Sequence, residues 1–466
     1  MLSTKGMLTH WTLPQLQEPL QALSLHGGSD ADAAVEIQAI GTDTRSLKAG
    51  DLFVALKGPN FNGDLFVAQA QAAGAVAAIV TELQPVDLPQ LVVKDTRIAL
   101  GQLAKLHRQA FSGPVVAITG SSGKTSVKEM LARVLGQQAP VLATRGNLNN
   151  DLGAPLTLLA LKPEHRYAVV ELGASARGEI AYTTALTQPD IAILTNAAAA
   201  HLDGFGSLQG VVEAKSEIFT GLKPDGVAVV NLDDPHCGYW LDQLEGRKLR
   251  TFSLDSRLAD LFASDLETGA DGCCRFQLHS HAGQVEVCLQ VLGLHMVANA
   301  LAAATAADVL DFSLEQICRG LESYQGVSGR LAAMPGRQGA QIIDDSYNAN
   351  PESVRAAIRV LASLPGKRVL VLGEMAELGS EAASLHAELG RFAFEMQLDD
   401  IYTVGALAAY TGQVFAQLKQ QEAQIFDDKQ TLLAVLAPRL DADTSVLIKG
   451  SRSAAMEEVV SGLTYG

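Results

Sequence analysis

The chain predicts an α/β protein of three domains: a central doubly wound P-loop ATPase domain, flanked by a small N-terminal α/β domain and a C-terminal Rossmann-like domain. Three observations carry that prediction. Short apolar runs alternate with helix-length stretches from residue 115 onward, the pattern of parallel strands buried on both faces. One such run, Val115 to Thr119, opens directly into Gly120-Ser121-Ser122-Gly123-Lys124-Thr125-Ser126. The length, 466 residues with 48% apolar and only 5% aromatic content, is enough for about two to four domains with Ala/Val/Leu-rich cores.

The first domain is expected over residues 1–110. Asp51 to Leu56, Ala77 to Val80 and Leu91 to Val93 read as short strands, and Ile98 to Phe111 as a helix. Gly113-Pro114 then breaks the pattern and marks a boundary. The central domain is expected over 111–325. Tyr167 to Leu172, Ile191 to Thr195 and Val227 to Asn231 read as buried parallel strands, with ligands expected beyond their carboxyl ends. Phe276 to Leu292 alternates apolar and polar residues and predicts an antiparallel extension. The last domain, 326–466, has strands predicted at Gln341 to Ile343, Arg368 to Leu372, Ile401 to Val404 and Ser445 to Ile448.

Composition narrows the function classes. A net charge of −16 argues against broad nucleic-acid binding, which needs a basic face, but leaves room for a local basic pocket. Cys237, Cys273, Cys274, Cys288 and Cys318 show no C-x-x-C spacing and read as reduced thiols of no special role. Met1 to Leu13 lacks the charged-then-apolar order of a signal peptide. Apolar runs such as Ala73 to Val80 fall well short of a membrane span. The expectation is a cytoplasmic protein without a membrane span.

The glycine turn is the strongest chemical signal. Glycines let backbone N–H groups approach phosphate oxygens, a helix N-terminus favours an anion, and Lys124 can reach the outer phosphates. The Thr125 hydroxyl can ligate Mg²⁺. The loop is a short G-x-x-G-K-T, with Ile118 where the general pattern has a glycine. Glu171, at the end of a buried strand, suits Mg²⁺ as a carboxylate ligand. His201 follows the strand Ile191 to Thr195 at the ligand-facing edge, which favours a metal-linked role. Lys215, within Glu213-Ala214-Lys215-Ser216-Glu217, reads on physics alone as a surface lysine paired along a helix.

Taken together, several motifs resemble those of the bacterial Mur ligases. They are the Thr119 to Thr125 loop, Gly146-Asn147-Leu148-Asn149-Asn150, Glu171-Leu172-Gly173-Ala174, His201, Glu213-Ala214-Lys215 and Asp344-Asp345-Ser346-Tyr347-Asn348-Ala349-Asn350-Pro351. Thr42-Asp43-Thr44-Arg45 near the start and Lys449-Gly450-Ser451-Arg452-Ser453 near the end extend the resemblance over nearly the whole chain. The last-domain motif is similar to that of the dipeptide-adding branch.

The resemblance implies ATP-dependent amide formation through an acyl phosphate. The substrates would be UDP-N-acetylmuramoyl-tripeptide and D-alanyl-D-alanine, and the enzyme a monomer. The first domain would bind the uridine-diphosphate end, the second ATP, the third the dipeptide, and Thr44 and Arg45 would touch the substrate. ATP would meet Gly120, Ser121, Ser122, Gly123, Lys124, Thr125, Ser126, Asn299, Arg330, Asp345 and Asn348. Two Mg²⁺ ions would use Thr125, Glu171, His201 and Lys215, the last as a carbamate. That role replaces the surface reading of Lys215 on resemblance alone. Lys124, Lys215, His201 and Arg330 would be catalytic. Asn149 and Asn150 would touch the substrate, and Lys449, Ser451 and Arg452 are candidates for the dipeptide.

One departure stands out: His295-Met296 occupies a place where the family has His-Asn, so an apolar thioether replaces an amide. Other Mur-type amino-acid ligases, folylpolyglutamate synthase-like enzymes and a non-enzymatic nucleotide switch are the alternatives. The Asp-Asn-Pro-Arg motif of the diaminopimelate- or lysine-adding ligase is absent.

Overall fold

A computed structural model describes residues 8, 10–27, 35–58, 61–200, 202–269 and 271–464. Three main sheets organise them, each continuous in the chain. The first runs Ser24–His26, Gln90–Val92, Ala77–Val80, Asp51–Val54, Ala39–Gly41, parallel except at its Ser24–His26 edge. The third runs Ala332–Pro335, Gln341–Asp345, Thr444–Lys449, Lys367–Gly373, Asp400–Val404, Gln424–Phe426, parallel except at its first pair.

The nine-stranded central sheet places Val115–Thr119 between Ile191–Leu194 and Tyr167–Glu171. All three are parallel and nearly every residue is buried, as the continuous apolar runs require. Strand order reverses around Val115–Thr119, which opens a crevice at its carboxyl end. The expected extension at Phe276 to Leu292 is antiparallel but is two strands, Cys273–Ser280 and Gly283–Leu292, folded back on each other. They continue from Leu261–Thr268, which itself pairs parallel with Lys248–Ser253.

The first and central sheets share one apolar core. The helix Thr96–Gln109 packs on the helices Gly153–Leu158 and Glu179–Thr187. A Cβ at Gly101 would lie 2.1 Å from the Tyr182 hydroxyl, so the helices meet closely there because residue 101 has no side chain. Arg108, buried at this seam, donates from Nε to Thr187 O (2.8 Å) and from Nη2 to Gln188 O (2.9 Å). A single cluster runs from Leu13 through Leu100 and Leu103 to Val115, Leu158 and Trp240. The last sheet has its own cores on its two faces, which take in only Leu292 from the central region among their fully buried members. Among the described residues, no helix is long and apolar enough to cross a membrane.

Candidate active site at the carboxyl edge of the central sheet

The glycine turn is shaped by close neighbours. Gly120 has φ +151 and Gly123 φ +83, and a Cβ would fall 1.9 Å from Thr195 Oγ1 at the first and 2.3 Å from Asn299 Oδ1 at the second. Only glycine lets the loop lie between those two side chains. Gly123 is also the N-cap of the helix Lys124–Leu135, and no side chain caps that end. Its first backbone N–H groups remain available to an anion. Asn196 and Thr195 pin the loop from the next strand. Ser121 N donates to Asn196 O (3.0 Å), Ser122 N to Asn196 Oδ1 (2.9 Å), and Thr195 Oγ1 to Ser122 O (2.7 Å). The sequence reading missed both residues, although a polar pair directly after a buried strand was the available signal.

Oxygen donors gather beside the loop. Thr125 Oγ1 donates to Glu171 Oε2 (3.0 Å), and Asn149 Nδ2 donates to Glu171 Oε1 (2.8 Å). Glu171 N donates to Thr144 Oγ1 (2.9 Å), and the buried Lys128 donates to Thr144 O (2.6 Å), which fixes the carboxylate from behind. A hydroxyl and a carboxylate next to an uncapped helix start fit magnesium, which takes one or two protein oxygens along with phosphates and water. Among the described residues no three His, Cys, Asp or Glu side chains converge on a metal-sized site. His201 lies outside the described residues.

The two lysines differ. Lys124 Nζ donates to Gly120 O (2.6 Å). Burial in the cleft lowers its pKa, with Glu171 opposing and Arg330 adding to the shift. Lys215, on the helix Leu208–Ser216, is not the surface residue that spacing alone suggested. It is 2% exposed, and its ammonium stands 5.3 Å from the centre of the Phe205 ring. Burial, then the charge of Lys124, brings its pKa down to about 7, while Glu179 and Glu217 pull the other way. A lysine of this kind has a large neutral-amine fraction at physiological pH, which an ordinary surface lysine lacks.

The last domain closes the opposite wall. Arg330 Nη2 donates to Thr125 Oγ1 (3.1 Å), and its guanidinium stacks 4.3 Å over the Tyr347 ring. Asp345 and Lys449 face each other at the ends of two parallel strands and pair at 2.6 Å. Burial raises the pKa of Asp345 against the pull of Lys449 and Arg330. Lys449 also donates to Asn348 O (2.8 Å). Asn350 caps the helix Pro351–Ala362 by accepting from Ser353 N (2.8 Å).

These groups surround one cleft of about 1270 Å³. Every predicted nucleotide-binding residue lines it except Gly120 and Thr125, and Asn149, Asn150, Glu171, Lys449, Ser451 and Arg452 line it as well. Arg452 also pairs with Glu457 (2.7 Å). Lys215 is buried outside the lining, and Thr44 and Arg45 lie away from the cleft on the first domain. Thr44 Oγ1 donates to Gln69 Oε1 (3.4 Å), and the exposed Arg45 pairs with Asp43 (2.6 Å). Asp234 and His295 line it too, with no role expected from the sequence. Asp234 accepts from Ala197 N (2.8 Å), and His295 has a pKa lowered to about 4 by burial and Lys449. Met296 is buried, and its sulfur accepts from Asn299 Nδ2 (3.5 Å), so the thioether supports the asparagine carried over to the nucleotide.

Comparison with known proteins places this site in context. Models of the Mur ligase family catalytic domain, the Mur ligase middle domain and the Mur ligase glutamate ligase domain match residues 36–108, 118–307 and 329–452. The UDP-N-acetylmuramoyl-tripeptide–D-alanyl-D-alanine ligase of Escherichia coli is 45% identical over 97% of this chain and 98% of its own length. Its Bacillus subtilis counterpart is 35% identical over 92% of this chain and 93% of its own length. The crystal structure of MurF from Acinetobacter baumannii superposes with a TM-score of 0.90, at 40% identity over 97% of this chain and 98% of that one. With matches over all three sheets and the phosphate loop, the chain belongs to the Mur ligase family.

Proposed function

We propose that this chain joins the terminal carboxyl group of UDP-N-acetylmuramoyl-tripeptide to the amine of D-alanyl-D-alanine, splitting ATP into ADP and phosphate. The observation that carries this is the near full-length 45% identity to a relative named for that reaction. The cleft supplies the chemistry. A carboxylate oxygen attacks the γ-phosphorus, the bond to the β-phosphate oxygen breaks, and an acyl phosphate forms. The dipeptide amine then attacks the acyl carbon, phosphate leaves and the nitrogen loses a proton.

The first step brings two anions together, so the site must hold positive charge where negative charge develops. Lys124 and the uncapped start of its helix meet the phosphates from one side. Arg330 reaches the same place from the last domain. Magnesium held by Thr125 and Glu171, with a second ion at His201 and Lys215, would neutralise phosphate oxygens. The buried amine of Lys215, uncharged, can add CO₂ with loss of a proton and become an anionic carbamate ligand. Residues 1–110, 111–325 and 326–466 act as the binding units for the uridine-diphosphate end, ATP and the dipeptide. The enzyme works as a cytoplasmic monomer drawing on cellular ATP.

Coupling is the direct test. Phosphate is expected to be released, and the pentapeptide product to appear by mass spectrometry, only when both substrates accompany ATP. Equal ATP turnover with neither would instead indicate a nucleotide switch. Arg330→Ala is expected to lower kcat by about 10²-fold or more while the KM for ATP changes little, because its charge matters most in the transition state. A pure rise in KM would assign Arg330 to ground-state binding.

A further inference from the structure

A loop of the third domain enters the cleft at residues that phosphoryl transfer does not use. It leaves the strand Lys367–Gly373 and runs to the helix Ala382–Glu395. Ala376 and Glu377, near its middle, line the cleft along with Lys449, Ser451 and Arg452. Glu377 has φ +62, a left-handed conformation that a residue with a side chain adopts only at a cost. Farther on, a Cβ at Gly379 would lie 3.0 Å from Asp203 Oδ1. The loop therefore reaches across to the central domain.

Such a conformation persists only where its surroundings hold it. Glu374 ties the start of the loop to both neighbouring strands. Its backbone O accepts from Ser451 N (2.8 Å), past Thr444–Lys449, and its Oε1 accepts from Leu407 N (2.9 Å), past Asp400–Val404. His386 holds the next residue. Its ring Nε2 accepts from Met375 N (3.1 Å), so the ring proton sits on Nδ1, which donates to Ala382 O (2.8 Å). The side chain is wholly buried, and burial lowers its pKa, with Ala382 O and Glu374 opposing. Its helix is fixed in turn, because Thr411 Oγ1 donates to His386 O (2.7 Å). Met375 and Leu378, on either side of the lining pair, sit in the apolar core of the third domain. An apolar side chain at 386 would serve packing alone. The imidazole adds an acceptor for an amide directly before the strained, cleft-lining segment.

We propose that His386 is a positioning residue for the ligase reaction, holding the Ala376-Glu377 segment as a part of the cleft wall that the incoming dipeptide meets. The inference rests on the proposed ligase reaction. The segment belongs to the domain assigned to the dipeptide, and Glu374 joins it to Ser451. The phosphate loop and Glu171 make their contacts elsewhere, so loss of the His386 contact falls on one substrate rather than on all three.

Two polar variants separate the two ring nitrogens. His386→Gln can still offer an acceptor to Met375 N. His386→Asn can reach Ala382 O but not Met375 N, which leaves a buried donor unpaired. His386→Asn is expected to raise the KM for D-alanyl-D-alanine by about tenfold while those for ATP and the UDP-linked tripeptide change by less than about twofold, and His386→Gln to recover most of the loss. Amide hydrogen exchange without substrates should quicken by about tenfold over residues 374–379 in His386→Asn and stay near the wild-type rate in His386→Gln. An unchanged dipeptide KM in His386→Asn, a rise shared by all three substrates, equal behaviour of the two variants, or unaltered exchange would each overturn the proposal. Should His386→Asn not fold, Glu377→Gly, which suits φ +62, decides. A severalfold rise confined to the dipeptide KM supports the proposal, and an unchanged one overturns it. The exchange measurement needs no turnover, so its failure leaves the ligase reading standing. Absence of product from the wild type with both substrates would overturn that reading instead.

Discussion

Replacing Lys124 with alanine should lower kcat by about 10³-fold, at the upper end of the loss seen when one preorganised charge-stabilising donor is removed. Its ammonium donates to Gly120 O at 2.6 Å, which holds the charge within the glycine turn. No neighbouring loop residue can replace it: Ser121, Ser122 and Thr125 carry hydroxyls, and Arg330 arrives from another domain. Phosphate-release kinetics at saturating substrates measure the effect. A rate like that of the wild type would mean that Lys124 does not touch the transferred phosphoryl group.

Lys215→Ala should be nearly as damaging, about 10²- to 10³-fold in kcat, with partial recovery on adding short carboxylic acids that can take the place of a carbamate. The pH dependence follows from burial. The pKa of the amine is lowered to about 7, so the neutral form that can add CO₂ is scarce below that pH and abundant above it. Enzyme stripped of CO₂ should therefore lose activity and regain it with bicarbonate more fully at pH 8 than at pH 6. Full activity in Lys215→Ala would remove the carbamate from the mechanism.

Legibility in the sequence tracked burial. Ala77–Val80 and Val227–Asn231 form over the residues expected, because each strand's four consecutive apolar residues suit burial on both faces. Leu261–Thr268 escaped notice because its second half is exposed and polar. Phe276 to Leu292 reads as one alternating run because a tight turn at His281-Ala282 leaves the alternation on either side intact. Among site residues, local order was enough for Lys124 and Glu171. Lys215 needed depth: spacing names a helix face, and only the fold shows that this face is covered. The approach of Arg330 to Thr125 joins residues from different sheets, and no local pattern encodes it.

The shared core described for the first two sheets also bears on how the chain emerges from the ribosome. Leu100 and Leu103 pack in the same cluster as Leu158, Ile218 and Trp240. When the first hundred residues have been synthesised, one of their apolar faces still has no cover, and it waits for more than another hundred before the cluster can close. That interval is when a nascent chain is most exposed to aggregation or chaperone capture. The last sheet, with cores of its own, can mature afterwards as a separate cooperative unit.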